Sequence, residues 1–342
     1  MINFLSDNIS TACPAVMDAV VAINQGVAES YGDDGATRRL TRVFSDLFET
    51  DVVIFPVLSG TASNALALAA ITPPWGKIYC HALSHINTDE CGAPELFTGG
   101  AKLVPMQGAH GRLSPEILVD TIYGKGNVHH TQPAALSFAQ ACESGTLYQI
   151  EEIRALTQAA HEHDLKVHMD GARFANALAS LNVSPAEMTW KSGIDVLSFG
   201  GTKNGCLMAE AVIFFKPELA ENFAYIHKRA GQLISKMRFV SAQLEAYVSD
   251  NVWLENAEHA NRLAKKLERA FQSIEGIELV YPVMSNEVFV RFSEPVRAGL
   301  AERDIAINEE ELEGTAARFV TAWNTREQDV DDLIETFRGL HG

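Results

Sequence analysis

A lysine set among glycines, in DVLSFGGTKNG (195–205), is the residue best placed for covalent chemistry in this sequence. Val196, Leu197 and Phe199 read as a buried strand that stops at Gly200 and Gly201, and Lys203 follows at once. A lysine that forms an imine must meet its carbonyl as the free amine, a form that burial or neighbouring cations favour. Glycines at 200, 201 and 205 would let backbone and ligand approach without an intervening Cβ. The bland alternative is a solvated turn lysine. In LSGTASN (58–64), Ser59, Gly60 and Thr61 join a strand to a helix, where free N–H groups and hydroxyls suit a phosphate or simply cap the helix. In KVHMDGAR (166–173), alternation carries Asp170 to a strand end. A carboxylate there accepts a hydrogen bond from a protonated heterocycle or caps the next helix. In YCHALSHINTDE (79–90), His85 lies beyond a strand, where a flat ring could stack on a planar ligand, while His81 reads equally well as structural. His81 and His85 lack a third ligand for zinc, so no metal is expected. His161, His163 and His168 read as partly solvated.

The elements that must position these residues alternate in a regular way. Strands are expected at 51–57, 76–80, 101–106, 134–140, 166–170, 195–199 and 210–215, and helices at 63–71, 114–123 and 150–164. Ser114 and Pro115 make a sound helix start. This rhythm predicts an α/β domain with a mainly parallel sheet, whose ligands sit beyond the C-terminal ends of the strands. After about residue 240 the texture changes to a long amphipathic helix (253–274), strands in IELVYP, EVFVRF and ARFVTAW, and a terminal helix near 327–340. The expected division is a large domain with an N-terminal arm (1–245) and a small α+β domain (246–342).

Composition sets outer bounds. The chain has 342 residues, 47% hydrophobic and 21% charged, which suits a globular enzyme and not a disordered chain. A net charge of −17 without basic clusters argues against nucleic acid as a partner. Five scattered cysteines without a C-x-x-C pair fit free thiols in a reducing compartment. The uncharged stretch Val52 to Gly76 holds three prolines and several polar residues, so it is expected to be buried and not to span a membrane. No signal-peptide pattern opens the chain, and a cytoplasmic location is expected.

Each segment alone is weak, but their order is that of a pyridoxal-phosphate enzyme of fold type I: phosphate turn, stacking ring, strand-end Asp, then Lys. The chain resembles the low-specificity L-threonine aldolases and phenylserine aldolases, in the group of β-eliminating lyases with the aspartate aminotransferase fold. The resemblance rests on FLSDN (4–8), SYGDDGATRRL (30–40), LFETDVVIF (47–55), SGTASN (59–64), SHINTDECGAPE (84–95), VHMDGARF (167–174), GGTKNG (200–205), SKMRF (235–239) and ARFVTAW (317–323). It implies that Lys203 carries pyridoxal 5'-phosphate and that Asp170 faces the pyridine nitrogen. Ser59, Gly60 and Thr61 would hold the phosphate with Arg238 of a neighbouring subunit, and His85 would stack on the ring. Ser6, Arg173 and Arg318 would bind the substrate carboxylate, and Tyr31 would join from a partner chain. The base would be His85, His129 or a water. The implied reaction is retro-aldol cleavage of threonine, allo-threonine or a related β-hydroxy-α-amino acid to glycine and an aldehyde, in a homotetramer with shared sites. The alternative is β-elimination on another amino acid. One departure stands out: AQACESGT (139–146) has no histidine where other aldolases carry E-N-T-H-N, so the wall beside the substrate side chain is expected to differ.

Overall fold

The computed structural model describes residues 4–303, 305–306, 308–312 and 314–341. Seven strands form the larger sheet: β1 (Val53–Val57), β2 (Gly76–His81), β3 (Lys102–Met106), β4 (Gln132–Ala139), β5 (Lys166–Gly171), β6 (Val196–Gly200) and β7 (Glu210–Phe214). Their order is β1-β7-β6-β5-β4-β2-β3. β7 runs antiparallel to both neighbours and the other pairings are parallel, so β1 to β6 all point the same way. Their C-terminal ends therefore share one edge, the edge where the predicted residues gather.

Helices cover both faces, which is why the strands read as continuous apolar runs. Val196, Val212 and Phe214 face a core with Leu66, Leu68 and Ile78. Leu197, Phe199 and Ile213, one position along, face a second core with Phe44, Phe48, Phe174 and Trp253. That is the two-residue period of a strand buried on both sides. The helix Gly35–Phe48, unmarked in the sequence reading, shows the local logic. Asp34 caps it, accepting from Thr37 N and Thr37 Oγ1 at 2.8 Å each, and Ala36, Leu40, Phe44 and Phe48 recur every fourth residue along its buried face. It packs on the helix Arg238–Val248, which in turn packs on Pro14–Ile23.

A second, antiparallel sheet holds β8 (Glu278–Leu279), β9 (Glu287–Arg291), β10 (Asn308–Leu312) and β11 (Gly314–Val320) in the order β10-β11-β9-β8. The strand expected over IELVYP shrinks to the two residues of β8. The helix Val252–Gln272 serves both units: Trp253 and Ala257 belong to the large core, Leu263, Leu267 and Phe271 to the small one. Phe4 also belongs to the small core, and its carbonyl accepts from Val320 N at 2.8 Å, which threads the N-terminal segment past the strand-end edge. Among the described residues no helix is long and apolar enough to cross a membrane.

Candidate active site

A cleft of about 300 Å³ opens at the strand-end edge, lined by turns that follow β1, β2, β4, β5 and β6. Ser59, Gly60, Thr61, His85, Asp170, Arg173 and Lys203 all line it. Ser59 caps the helix Gly60–Ile71, its hydroxyl accepting from Ala62 N at 3.2 Å. A Cβ built on Gly60 would meet nothing within 4 Å, so the first turn of this helix faces open space with its N–H groups. Asp170 is buried at the end of β5, where Oδ1 accepts from Ala172 N at 2.9 Å and Oδ2 from Asn64 Nδ2 at 2.7 Å.

The glycines beside Lys203 are also demanded by the protein's own packing. A Cβ on Gly200 would sit 2.5 Å from Ala172 O, and one on Gly201 would sit 2.6 Å from Ala209 O. Gly205 has φ +121°, and its Cβ would crowd Asn256 and Cys13. Strand ends and turns press against one another there and leave no space for a side chain. The packing fixes the turn and so fixes Lys203.

His85, Glu90, Asn64 and Asp170 form one hydrogen-bonded chain. Glu90 Oε1 lies 2.9 Å from His85 Nδ1 and accepts from Asn64 Nδ2 at 2.8 Å, and Asn64 Nδ2 also reaches Asp170. The Glu90 hydrogen bond raises the pKa of His85, against the opposing effect of burial. Burial in turn raises the carboxyl of Glu90. With Nδ1 committed to Glu90, Nε2 of the half-exposed ring is left for a ligand. Beneath them His168 is fully buried, contrary to its expected partial solvation. It lies 2.9 Å from both Ser137 Oγ and Ser198 Oγ, and burial pulls its pKa down to about 4. His81 is structural: its Nδ1 accepts from Leu83 N at 3.0 Å.

A second cleft adjoins the first and shares Asn8, His85, Glu143, Arg173 and Lys203 with it. Ser6, Glu287 and Arg318 line its far side with Tyr281 and Phe289. The fork of Arg173 is already engaged: Nε donates to Asp7 Oδ2 at 2.8 Å, Nη2 to Asp7 Oδ1 at 3.0 Å, and Nη1 lies 3.1 Å from Glu287 Oε2. Burial works against the Arg173 charge, but Asp7 and Glu287 more than offset it and raise its pKa. Glu143 occupies the wall where a histidine was missing. Its Oε1 accepts from His85 N at 2.8 Å, and burial pushes its carboxyl up to about 7.

Three predicted residues lie outside this cleft. Tyr31, with φ 56°, is exposed; its N–H donates to Ser235 O at 3.1 Å and its ring lies 4.2 Å from Lys228 Nζ. Arg238 is beside it on the surface, donating to Gln25 O at 3.4 Å. His129 sits on an exposed turn before β4, at the edge opposite the cleft, with its N–H on Asn127 Oδ1 at 3.0 Å. A single chain brings none of the three to the cleft. Conversely, Asp7, Asn64, Glu90, Glu143, Glu210 and Glu287 belong to the site and were not singled out from sequence. Glu210 on β7 accepts from Gly201 N at 3.0 Å and Thr202 N at 3.3 Å, which ties down the lysine turn, and burial pushes it up to about 7. Asn64 and Glu90 did carry a signal, since both lie inside motif segments one helical turn or so from a site residue. Glu287 carried none beyond being an acid in an apolar strand.

Comparison with known proteins gives the family. The β-eliminating lyase family matches residues 3–295. A low specificity L-threonine aldolase of Pseudomonas aeruginosa is 42% identical over 99% of this chain and 98% of its own length. The crystallised threonine aldolase of Leishmania major superposes with a TM-score of 0.93 at 27% identity, covering 99% of both chains. A methionine aminotransferase of Escherichia coli shares the fold with a TM-score of 0.77 at 13% identity, covering 99% of this chain and 93% of its own. The architecture is thus the α/β fold type I of pyridoxal-phosphate enzymes, and the chain belongs to the β-eliminating lyase family, among the low specificity L-threonine aldolases.

Proposed function

We propose that this chain is a pyridoxal-phosphate-dependent carbon–carbon lyase that cleaves L-threonine, L-allo-threonine and related β-hydroxy-α-amino acids such as phenylserine to glycine and an aldehyde. The observation that carries the reading is the meeting of Lys203, Asp170 and the Ser59–Thr61 turn in one cleft of a chain with such relatives. The residues fit the cofactor. The helix start at Gly60 is open to a phosphate. Asp170 is fixed on two sides and still lines the cleft, as an acceptor for a pyridinium N–H must be. Lys203 reaches both halves.

Bound there, pyridoxal phosphate supplies an electron sink for the pair released when the Cα–Cβ bond breaks. The chain's own part is to bind, orient and move protons. Ser59, Gly60 and Thr61 would hold the phosphate through N–H and hydroxyl groups, and Lys203 Nζ would be its covalent anchor. Asp170 holds the pyridine nitrogen proton, and Asn64 keeps that carboxylate in place. His85 stacks on the ring, and its Nε2 takes the β-hydroxyl proton, with Glu90 stabilising the imidazolium. Glu143 closes the same wall beside it. Arg173, Arg318 and Ser6 orient the carboxylate of the substrate. Tyr31 and Arg238 act in the site of another copy, in a cytoplasmic homotetramer built as a dimer of dimers.

The test is glycine release by the purified, cofactor-loaded protein from threonine, allo-threonine and phenylserine. Release from at least one is expected. A protein that takes up pyridoxal phosphate but releases no glycine from any of them contradicts the aldolase reading and leaves β-elimination.

A further inference from the structure

The arginines assigned to the substrate carboxylate do not stand empty. Asp7 takes two hydrogen bonds from Arg173 and a third from Asn286 Nδ2 at 3.0 Å, so its charge is fully matched. Glu287 is held differently. It is buried on β9, its Oε2 lies 3.1 Å from Arg173 Nη1 and its Oε1 lies 3.8 Å from Arg318 Nη1, yet neither oxygen accepts a hydrogen bond among the described residues. The charged groups around it are Arg173, Arg318, Asp7 and Lys203, with Glu143 facing Arg173 from the other side. With Lys203 assigned to the cofactor as its covalent anchor, the two guanidiniums already face two carboxylates in the cleft before any ligand arrives.

A third carboxylate entering this cluster leaves a buried negative charge unmatched, and such a charge is neutralised by a proton sooner than it is tolerated. Resting on the reading of the site as one for amino acids, we infer that Glu287 occupies the ligand's carboxylate seat between Arg173 and Arg318 and yields it by taking up one proton from solvent when an α-carboxylate binds. Glu287 is the member of the pair that accepts the proton, because Asp7 would forfeit three hydrogen bonds and Glu287 none. Burial already raises the Glu287 carboxyl, with Arg173 and Arg318 pulling it back. Glu287 is thus an affinity-setting residue for the carboxylate end of the substrate. The sign follows from linkage: affinity is fully present below the pKa of Glu287 in the free enzyme. It falls by up to about tenfold per pH unit above it, until the pKa of the bound form is reached.

The test is calorimetric titration of the cofactor-loaded enzyme in two buffers of different ionisation enthalpy, with glycine and with ethanolamine, which has the amine and lacks the carboxylate. Between the Glu287 pKa of the free enzyme and that of the glycine-bound enzyme, glycine is expected to draw up to about one proton per site more than ethanolamine. Glu287→Gln should remove that difference, and the rise of the threonine KM with pH should flatten relative to wild type. Equal proton counts for the two ligands in the wild-type enzyme overturn the inference without recourse to any variant. A lower affinity in Glu287→Gln at every pH, with the proton count unchanged, overturns it as well and shows a merely structural residue. An enzyme that cleaves threonine and shows either result contradicts this inference alone, whereas one that neither binds pyridoxal phosphate nor cleaves threonine contradicts the function itself.

Discussion

The two halves of the cleft are built on opposite plans. On the cofactor side, Asp170 ends a strand, and Ser59, Gly60, Thr61, Asn64 and Lys203 ride on turns or helix starts that follow same-direction strands of the same sheet. The key carboxylate there is met by neutral amide donors, from Asn64 and from Ala172 N–H. On the substrate side, Ser6, Asp7, Arg173, Glu287 and Arg318 come from the N-terminal segment, the turn after β5, β9 and β11, and the carboxylates there are met by guanidiniums. Neutral partners hold a carboxylate in place and leave its charge for a ligand to complete. An ion-paired cluster is already balanced, and a charged ligand must rebalance it. The first plan yields a fixed seat and the second a seat whose occupancy depends on pH.

This contrast is open to mutation. The largest effect is expected at Lys203→Ala, which should lose covalently held cofactor, visible as lost yellow colour, and lower turnover on the order of 10⁴-fold or more. Asp170→Asn keeps the shape of the seat and removes its charge. Loss of a buried charge partner predicts a fall on the order of 10²–10³-fold in kcat/KM, with the protein fold and covalent attachment of the cofactor at Lys203 retained. If Asp170→Asn stayed fully active, the neutral-donor seat would have no bearing on catalysis. Glu90→Gln is expected to cost roughly tenfold in kcat, the worth of one charge-assisted hydrogen bond. It should also move the acidic limb of the pH–rate profile. Glu90 raises the pKa of His85, and a base works deprotonated, so the limb should shift to lower pH in the variant. A shift to higher pH would contradict the assignment. The smallest effect on turnover separates two glycines. Gly200→Ala should cost about 1–3 kcal/mol of stability, read as a lower Tm, because its Cβ meets Ala172 O. Gly60→Ala, facing open space, should leave Tm within a degree or two and instead weaken retention of pyridoxal phosphate.

How much of this was legible in the sequence follows the same division. The strands of the large sheet announce themselves because they are buried on both faces, and a mainly apolar run such as Val196–Phe199, broken only by Ser198, needs no partner to be recognised. Asp170 and Lys203 could be placed because each follows such a run by one to four residues. The substrate half resisted the same reading. Asp7 and Glu287 gain meaning only from Arg173, which lies more than a hundred residues away from either, and no local period records that meeting. The glycines of GGTKNG were legible as a constraint but not as to its source, since the atoms that demand them, Ala172 O and Ala209 O, sit on other turns. The helices Gly35–Phe48 and Arg238–Val248 went unmarked although Leu40, Phe44 and Phe48 in one, and Val240, Leu244 and Tyr247 in the other, recur at helical spacing along a buried face.

The most direct test of the central claim is a product balance. Cofactor-loaded enzyme incubated with L-threonine is expected to yield glycine and acetaldehyde in equal amounts, with neither formed by Lys203→Ala. Formation of a 2-oxo acid and ammonia in their place would contradict the account, because it would mean that the cleft breaks the bond to the β-substituent and leaves the Cα–Cβ bond intact.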